Sequence, residues 1–165
     1  MPMINEEYRG LTYPGGRKDA INIGEPREVA PGVWWVRFAM PGGLDHINIW
    51  LLEDEGGWTV VDPCMKLDSA KAQWESLFSG FMQGKPIVRV ICTHLHPDHI
   101  GLAGWLCERF DCDVWMTRSE YLNASLLLSY TDEGIPKASR YLATVRRAMS
   151  TPSPVCSRCG IFIYI

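Results

Sequence analysis

The stretch from Val90 to Gly101, VICTHLHPDHIG, sets three of the chain's four histidines and an aspartate within the six residues His94 to His99. Neutral imidazole and carboxylate are ligands for zinc and similar divalent ions, and four such groups so close together are rarely explained by packing alone. From background residue frequencies, a His-x-His-x-Asp-His string arises in a chain of this length on the order of once in ten thousand times. The competing reading is a surface loop that merely holds histidines, or core histidines satisfied by backbone carbonyls. In extended or looped backbone His94 and His96, two apart, project to the same side and can grip one ion. Asp98 and His99 lie where the chain turns into a helix, and can point toward a second ion. Pro97 stiffens that turn, while Gly101 and Gly104 let backbone or ligand approach closely.

The surroundings of the cluster read as a βαβ unit. PIVRVICT, Pro86 to Thr93, is a nearly continuous apolar run, which predicts a strand buried on both faces with the cluster at its C-terminal end. Before it, Ala70, Trp74, Leu77 and Phe81 form one helical stripe, which Asp68 or Ser69 caps and Gly84 ends. After it, Ile100, Ala103, Leu106 or Cys107, and Phe110 form another, and DVWMT (Asp113 to Thr117) is the next strand. Upstream, GVWWVRFAM (Gly32 to Met40), HINIWLLED (His46 to Asp54) and WTVVD (Trp58 to Asp62) are rich in β-branched and aromatic residues and are separated by PGG and EGG. They predict an antiparallel meander of three strands. Residues 1–30 read as a loop-rich lead-in, and two further helices are expected over 119–130 and 136–149. The domain is therefore placed at 1–149. Residues 150–165, STPSPVCSRCGIFIYI, change character abruptly and read as an atypical, non-native tail in which Cys156 and Cys159 are an incidental pair.

The chain of 165 residues, with 47% apolar composition, is sized for one domain or part of one. A net charge of −3 and scattered Lys and Arg leave no basic footprint for a nucleic-acid backbone, which disfavours a nuclease. The N-terminus lacks the basic and apolar regions of a signal peptide, and no apolar run approaches a membrane span, so a cytoplasmic address is expected. The six cysteines then read as reduced thiols. The partner expected is a small molecule, with no nucleic acid and no membrane.

HLHPDH matches the His-x-His-x-Asp-His signature of the metallo-β-lactamase superfamily, and HPDHIGLAGWL resembles its glyoxalase II-like and general metallo-hydrolase branches. HINIWLLEDEGGWTVVDPC resembles the strand, turn and strand that precede the motif and end in an aspartate, here Asp62. The resemblance covers roughly residues 30 to 149. It implies an α/β fold, the αββα sandwich, with a metal site at one edge of the sheets. It also implies that His94 and His96 bind a first metal and Asp98 and His99 a second, with Asp98 positioning the attacking water. The metals implied are zinc, or iron or manganese in its place, sharing a bridging hydroxide that attacks an ester, thioester or lactone-type carbonyl.

A catalytic zinc site normally has three protein ligands plus water, and this chain has no histidine after His99. The resemblance therefore covers the N-terminal half of the sandwich, one mixed sheet with flanking helices. The expectation is a truncated metallo-hydrolase whose uncovered sheet face promotes self-association. The alternative is a non-catalytic remnant or binding module with a partial metal site. Asp62 reads as a carboxylate that orients a ligand or backbone group beside the metals. His46 is either a pocket-lining residue or a histidine at a strand start. Cys64 sits near the metal edge and reads as an inert small residue.

Overall fold

The computed structural model describes residues 5–14, 21–129 and 162–164. A first hairpin, β1 (Asn5–Tyr8) with β2 (Leu11–Pro14), stands apart from the main sheet. The sheet then runs β3 (Arg27–Ala30), β4 (Val33–Ala39), β5 (His46–Asp54) and β6 (Gly57–Val61), all antiparallel neighbours. Helix α1 (Asp68–Ser79) crosses to β7 (Ile87–Ile91), which lies parallel to β6. Two short helices, α2 (Pro97–Ile100) and α3 (Ala103–Phe110), lead to β8 (Asp113–Thr117), parallel to β7. α4 (Arg118–Ser129) follows, and β9 (Phe162–Tyr164) pairs with β8, again parallel, to complete a seven-stranded mixed sheet in sequential order.

Alternation along the strands decides which face is covered. Trp34, Val36 and Phe38 of β4, Ile49 and Leu51 of β5, Val60 of β6 and Val90 of β7 point toward the helices, and all but Trp34 are completely buried. α1 meets them with Trp74, whose ring lies 5.1 Å from Phe38, and with Leu77 and Phe78. α3 packs beside α1, with Phe78 and Phe110 edge to face at 5.0 Å. The opposite face carries a cross-strand row of Trp35, Trp50, Val61, Ile91 and Trp115, none of them fully buried. Trp35 and Trp50 stack at 6.4 Å, and the Arg89 guanidinium lies 4.2 Å over Trp115.

Several expectations are corrected. The lead-in is not all loop, since residues 5–14 form a hairpin and Arg27–Ala30 is an edge strand beside β4. β7 is buried on one face only, because Arg89 in the middle of its apolar run turns outward to Asp54, 3.1 Å away. α1 stops at Ser79, short of Gly84, so Phe81 reaches Trp34 and Trp58 from the turn that follows the helix. Neither Asp68 nor Ser69 caps it; Leu67 holds that position, without a side-chain hydrogen bond. The helix expected over 136–149 and the pair Cys156 and Cys159 lie outside the described residues.

Two glycines are required by close approach. A Cβ on Gly57 would lie 2.2 Å from the Pro86 carbonyl oxygen, where β6 and β7 begin side by side. A Cβ on Gly101 would lie 2.5 Å from the Lys66 nitrogen and 2.5 Å from the Pro97 oxygen. Gly101 thus lets the helix carrying the cluster sit directly on the loop that follows β6. Gly104, read the same way in the sequence, faces open space.

Candidate metal centre

β6 and β7 are parallel neighbours, so their C-terminal ends open on the same edge of the sheet, and the candidate residues gather there. The turn after β6 is strained: Asp62 has φ 59° and Cys64 φ 80°, both in the left-handed region, and Cys64 N–H donates to the Asp62 carbonyl at 2.9 Å. Such strain persists where the surroundings hold it. Here Trp74 Nε1 donates to the Pro63 carbonyl at 2.9 Å, and Leu102 N–H donates to that of Cys64 at 3.0 Å. The turn is thereby fastened to both α1 and the start of α3.

Strain at Asp62 aims its carboxylate across to the end of β7. It accepts hydrogen bonds from Thr93 N–H at 2.8 Å, from the Thr93 hydroxyl at 2.7 Å and from His99 Nδ1 at 2.8 Å. Burial alone would raise its pKa, but the bonds from His99 and Thr93 outweigh that and hold the carboxyl below its ordinary range. Conversely, burial would lower His99, and the bond and charge of Asp62, with the charge of Asp98, raise it instead. His94 is lowered, by burial first and then by His99 and His96, against the pull of Asp62 and Asp98.

These bonds fix which ring nitrogens carry protons. Thr93 has one hydroxyl hydrogen, and it goes to the acceptor-only carboxylate of Asp62. The 2.9 Å contact between Thr93 Oγ1 and His94 Nδ1 is therefore donated by His94, which leaves the lone pair of a neutral ring on Nε2. The same logic puts a proton on His99 Nδ1, facing Asp62, and turns Nε2 toward Asp98.

The donors meet in pairs. His94 Nε2 lies 3.1 Å from His96 Nδ1, and His99 Nε2 lies 3.4 Å from Asp98 Oδ2. Two ligands of a tetrahedral ion at ordinary zinc distances stand about 3.3 Å apart, so each pair fits one edge of such a shell. The His94 and His99 rings are 3.9 Å apart, which places the two pairs side by side. Among the described residues no group of three or more His, Cys, Asp or Glu side chains is placed to hold a metal ion, so neither pair fills a shell.

Other candidates fall as follows. Asp62 is buried at the centre of the network. His46 begins β5, where its Nδ1 lies 2.9 Å from Arg37 Nη2 and 3.5 Å from Asp45. Cys64 is completely buried, its thiol pushed up to about 12 chiefly by desolvation. Sequence reading missed two residues. Thr93 passed for the end of a strand, though its position between strand and cluster was a usable signal. Glu120 on α4 accepts a 2.8 Å hydrogen bond from Leu95 N–H, between the two histidines, and nothing in the local sequence announces it.

A mixed sheet with helices packed on one face, and with paired imidazole and carboxylate donors at the C-terminal ends of its parallel strands, defines half of an αββα metallo-hydrolase fold. The chain belongs to the metallo-beta-lactamase superfamily, whose family model matches residues 42–152. It is similar to a beta-lactamase domain protein from Burkholderia ambifaria, with 44% identity and a TM-score of 0.61, over 66% of this chain and 37% of that one. A metallo-beta-lactamase family protein from Thermus thermophilus shares the fold, with a TM-score of 0.54 at 23% identity, over 76% of this chain and 45% of that one. Two curated relatives are alkylsulfatases from Pseudomonas sp. The linear primary-alkylsulfatase is 37% identical over 81 residues, which is 49% of this chain and 11% of the relative. The (R)-specific secondary-alkylsulfatase is 32% identical over 90 residues, 54% of this chain and 13% of the relative. Among the described residues no helix is long and apolar enough to cross a membrane.

Proposed function

We propose that this chain carries the first part of a metal-dependent hydrolase centre, with His94 and His96 as one ligand pair and Asp98 and His99 as the other. The observation that carries the reading is the set of hydrogen-bond contacts around Thr93 and Asp62, from which the proton positions follow. It presents His94 Nε2 with its lone pair toward His96 and turns His99 Nε2 toward Asp98. A bound zinc ion, or iron or manganese in its place, polarises the substrate and lowers the pKa of bound water to about 7. The chain's own part is to hold the Nδ1 protons of His94 and His99 at Thr93 and Asp62, and to keep His99 beside Asp98. Asp98 accepts a hydrogen bond from the attacking water and orients it. Asp62 acts through His99 as a positioning residue, and His46 is assigned to the pocket rim.

The substrate class proposed is an ester-type bond. Sulfate esters stand first, because both curated relatives are alkylsulfatases by name, followed by thioesters and lactones. Self-association through the face bearing Trp35, Trp50 and Trp115 belongs to the same reading. A second reading, a non-catalytic module with a partial metal site, is favoured by one observation: the donors meet two by two.

The test is to strip the purified chain with a chelator, titrate zinc, iron(II) and manganese(II) back, and measure metal per chain and hydrolysis of an alkyl sulfate, a thioester and a lactone. Binding that is lost in His94→Ala and His96→Ala supports the metal centre, and turnover on top of binding supports the hydrolase. Binding without turnover selects the module. Unchanged metal stoichiometry in both variants overturns the metal assignment.

A further inference from the structure

The C-terminus of α3 holds two thiols that the proposed chemistry does not use. Asp111 follows the helix in the left-handed conformation, φ 52° and ψ 48°, and its N–H donates to the Cys107 carbonyl. Cys112 N–H donates to the same carbonyl at 3.3 Å. In a helix ended this way the residue after the left-handed position packs against the side chain one turn back, and the contact is ordinarily between two apolar groups. Here both partners are cysteine. The Cys112 thiol donates to Cys107 Sγ at 3.8 Å. The pairing thus follows from the cap geometry, and the backbone bond between the same two residues keeps them together.

The other buried cysteines are placed differently. Cys64 has Met40 Sδ as its thiol's acceptor, and burial first, then the charge of Asp62, pushes the thiol of Cys92 well up. For Cys112 the first influence is the hydrogen bond with Cys107, which holds its thiol below the ordinary cysteine range against burial and the charges of Asp113 and Asp111. The turn itself is at the surface. Asp111 is exposed, and Cys112 keeps 7% of its surface accessible where Cys107 keeps 1%. Attack by a small oxidant therefore begins at Cys112.

We propose that Cys107 and Cys112 are a peroxide-oxidisable dithiol that closes reversibly into a disulfide across the C-terminal cap of α3. The Cys112 thiolate attacks one oxygen of hydrogen peroxide and the O–O bond breaks. The hydroxide released takes up a proton to leave as water, and Cys112 becomes a sulfenic acid. Cys107 sulfur then attacks the Cys112 sulfur, the S–O bond breaks, and the second water leaves with the Cys107 proton. Two thiols have lost two electrons and two protons, and one peroxide has become two waters. A reducing thiol reverses the step by exchange.

Trypsin reads the outcome directly, because it cuts after Arg109, between the two cysteines. The folded chain is treated with hydrogen peroxide, alkylated in denaturant without reductant, digested, and mapped by mass spectrometry. The expected product is the peptide Val90–Arg109 joined to Phe110–Arg118, absent before treatment and released by dithiothreitol. The link persists in Cys92→Ser and is lost in Cys107→Ser. Absence of the joined peptide in the wild-type chain, with Cys112 alkylated or oxidised alone, overturns the proposal, as does fragmentation that maps the link to Cys92. The wild-type and Cys92→Ser arms decide the matter even where Cys107→Ser fails to fold.

Discussion

Replacing Asp62 tests the network at its centre. Asp62 is 5% exposed, and its carboxylate accepts three hydrogen bonds, at 2.8, 2.7 and 2.8 Å. Hydrogen bonds to a charged group contribute about 1.5–3 kcal/mol each, so the gross loss in Asp62→Ala is about 5–9 kcal/mol. Thr93 is exposed and His99 half-buried, so water re-solvates part of what is orphaned, and the buried charge is removed as well. The expected net destabilisation is about 2–4 kcal/mol, read from the urea midpoint at unchanged slope. Asp62→Asn separates shape from proton logic. Its amide oxygen still accepts from Thr93 N–H, but the amide nitrogen is a donor where His99 Nδ1 needs an acceptor. In the neutral ring the His99 proton then moves to Nε2, in the direction of Asp98, visible in the imidazole nitrogen resonances of the metal-free protein at a pH above the His99 titration. We expect about 1–2 kcal/mol of destabilisation and a metal affinity lower by about 10–100-fold. An Asp62→Ala protein within about 0.5 kcal/mol of wild type would refute the structural reasoning. Asp62→Asn with the His99 proton still on Nδ1 and unchanged affinity would refute the proton assignment.

Gly101→Ala and Gly104→Ala form a matched pair. The first drives a methyl into the Lys66 and Pro97 backbone and is expected to cost about 1–3 kcal/mol in thermal unfolding. The second meets nothing within 4 Å and is neutral or slightly stabilising, and equal effects from the two would contradict the close packing at Gly101. Glu120→Ala removes the acceptor of Leu95 N–H and is expected to weaken metal binding several-fold, while Glu120→Gln retains most of it; equal loss in both would show that charge, and not the hydrogen bond, is what matters. Trp50, 36% exposed beside Trp35, is expected to sustain self-association. Trp50→Lys then shifts sedimentation toward the monomer, whereas a wild-type chain monomeric at every concentration removes the premise.

The strands and helices nearest the cluster were legible because their signals are local. WTVVD and PIVRVICT show β-branched runs, and Ala70, Trp74 and Leu77 repeat at helical spacing. What escaped the sequence was set by partners distant along the chain. Arg89 sits inside an apolar run, and only its pairing with Asp54 and Trp115 explains why that strand has one solvated face. Phe81 continues the helical stripe, yet the chain leaves the helix at Gly80 and delivers the ring to Trp58 from a turn. Within the site, the four clustered residues and Asp62 announce themselves. The Thr93 hydroxyl acts by linking Asp62 to His94, and the Glu120 carboxylate through one bond to Leu95 N–H; a hydroxyl or carboxylate at one position has no periodicity to read.

The division between orienting and completing the site follows from where these partners lie. Among the described residues, contacts that orient the cluster come from the stretch between Asp62 and Glu120: the strained turn after β6, Thr93 at the end of β7, Gly101 against the loop at Lys66, and α4 at Leu95. Parallel β6 and β7 bring the first two together, and α2 and α4 supply the rest. The tautomers of His94 and His99, and with them the direction of each lone pair, are therefore set inside this part of the fold. Filling a four-coordinate shell is a different requirement, since each pair offers two donors. On this reasoning a donor supplied from outside, such as free imidazole, raises the metal affinity of the wild-type chain. It does much less in Asp62→Asn, where His99 Nε2 carries a proton. An equal gain in both proteins would mean that orientation and completion are not separable here.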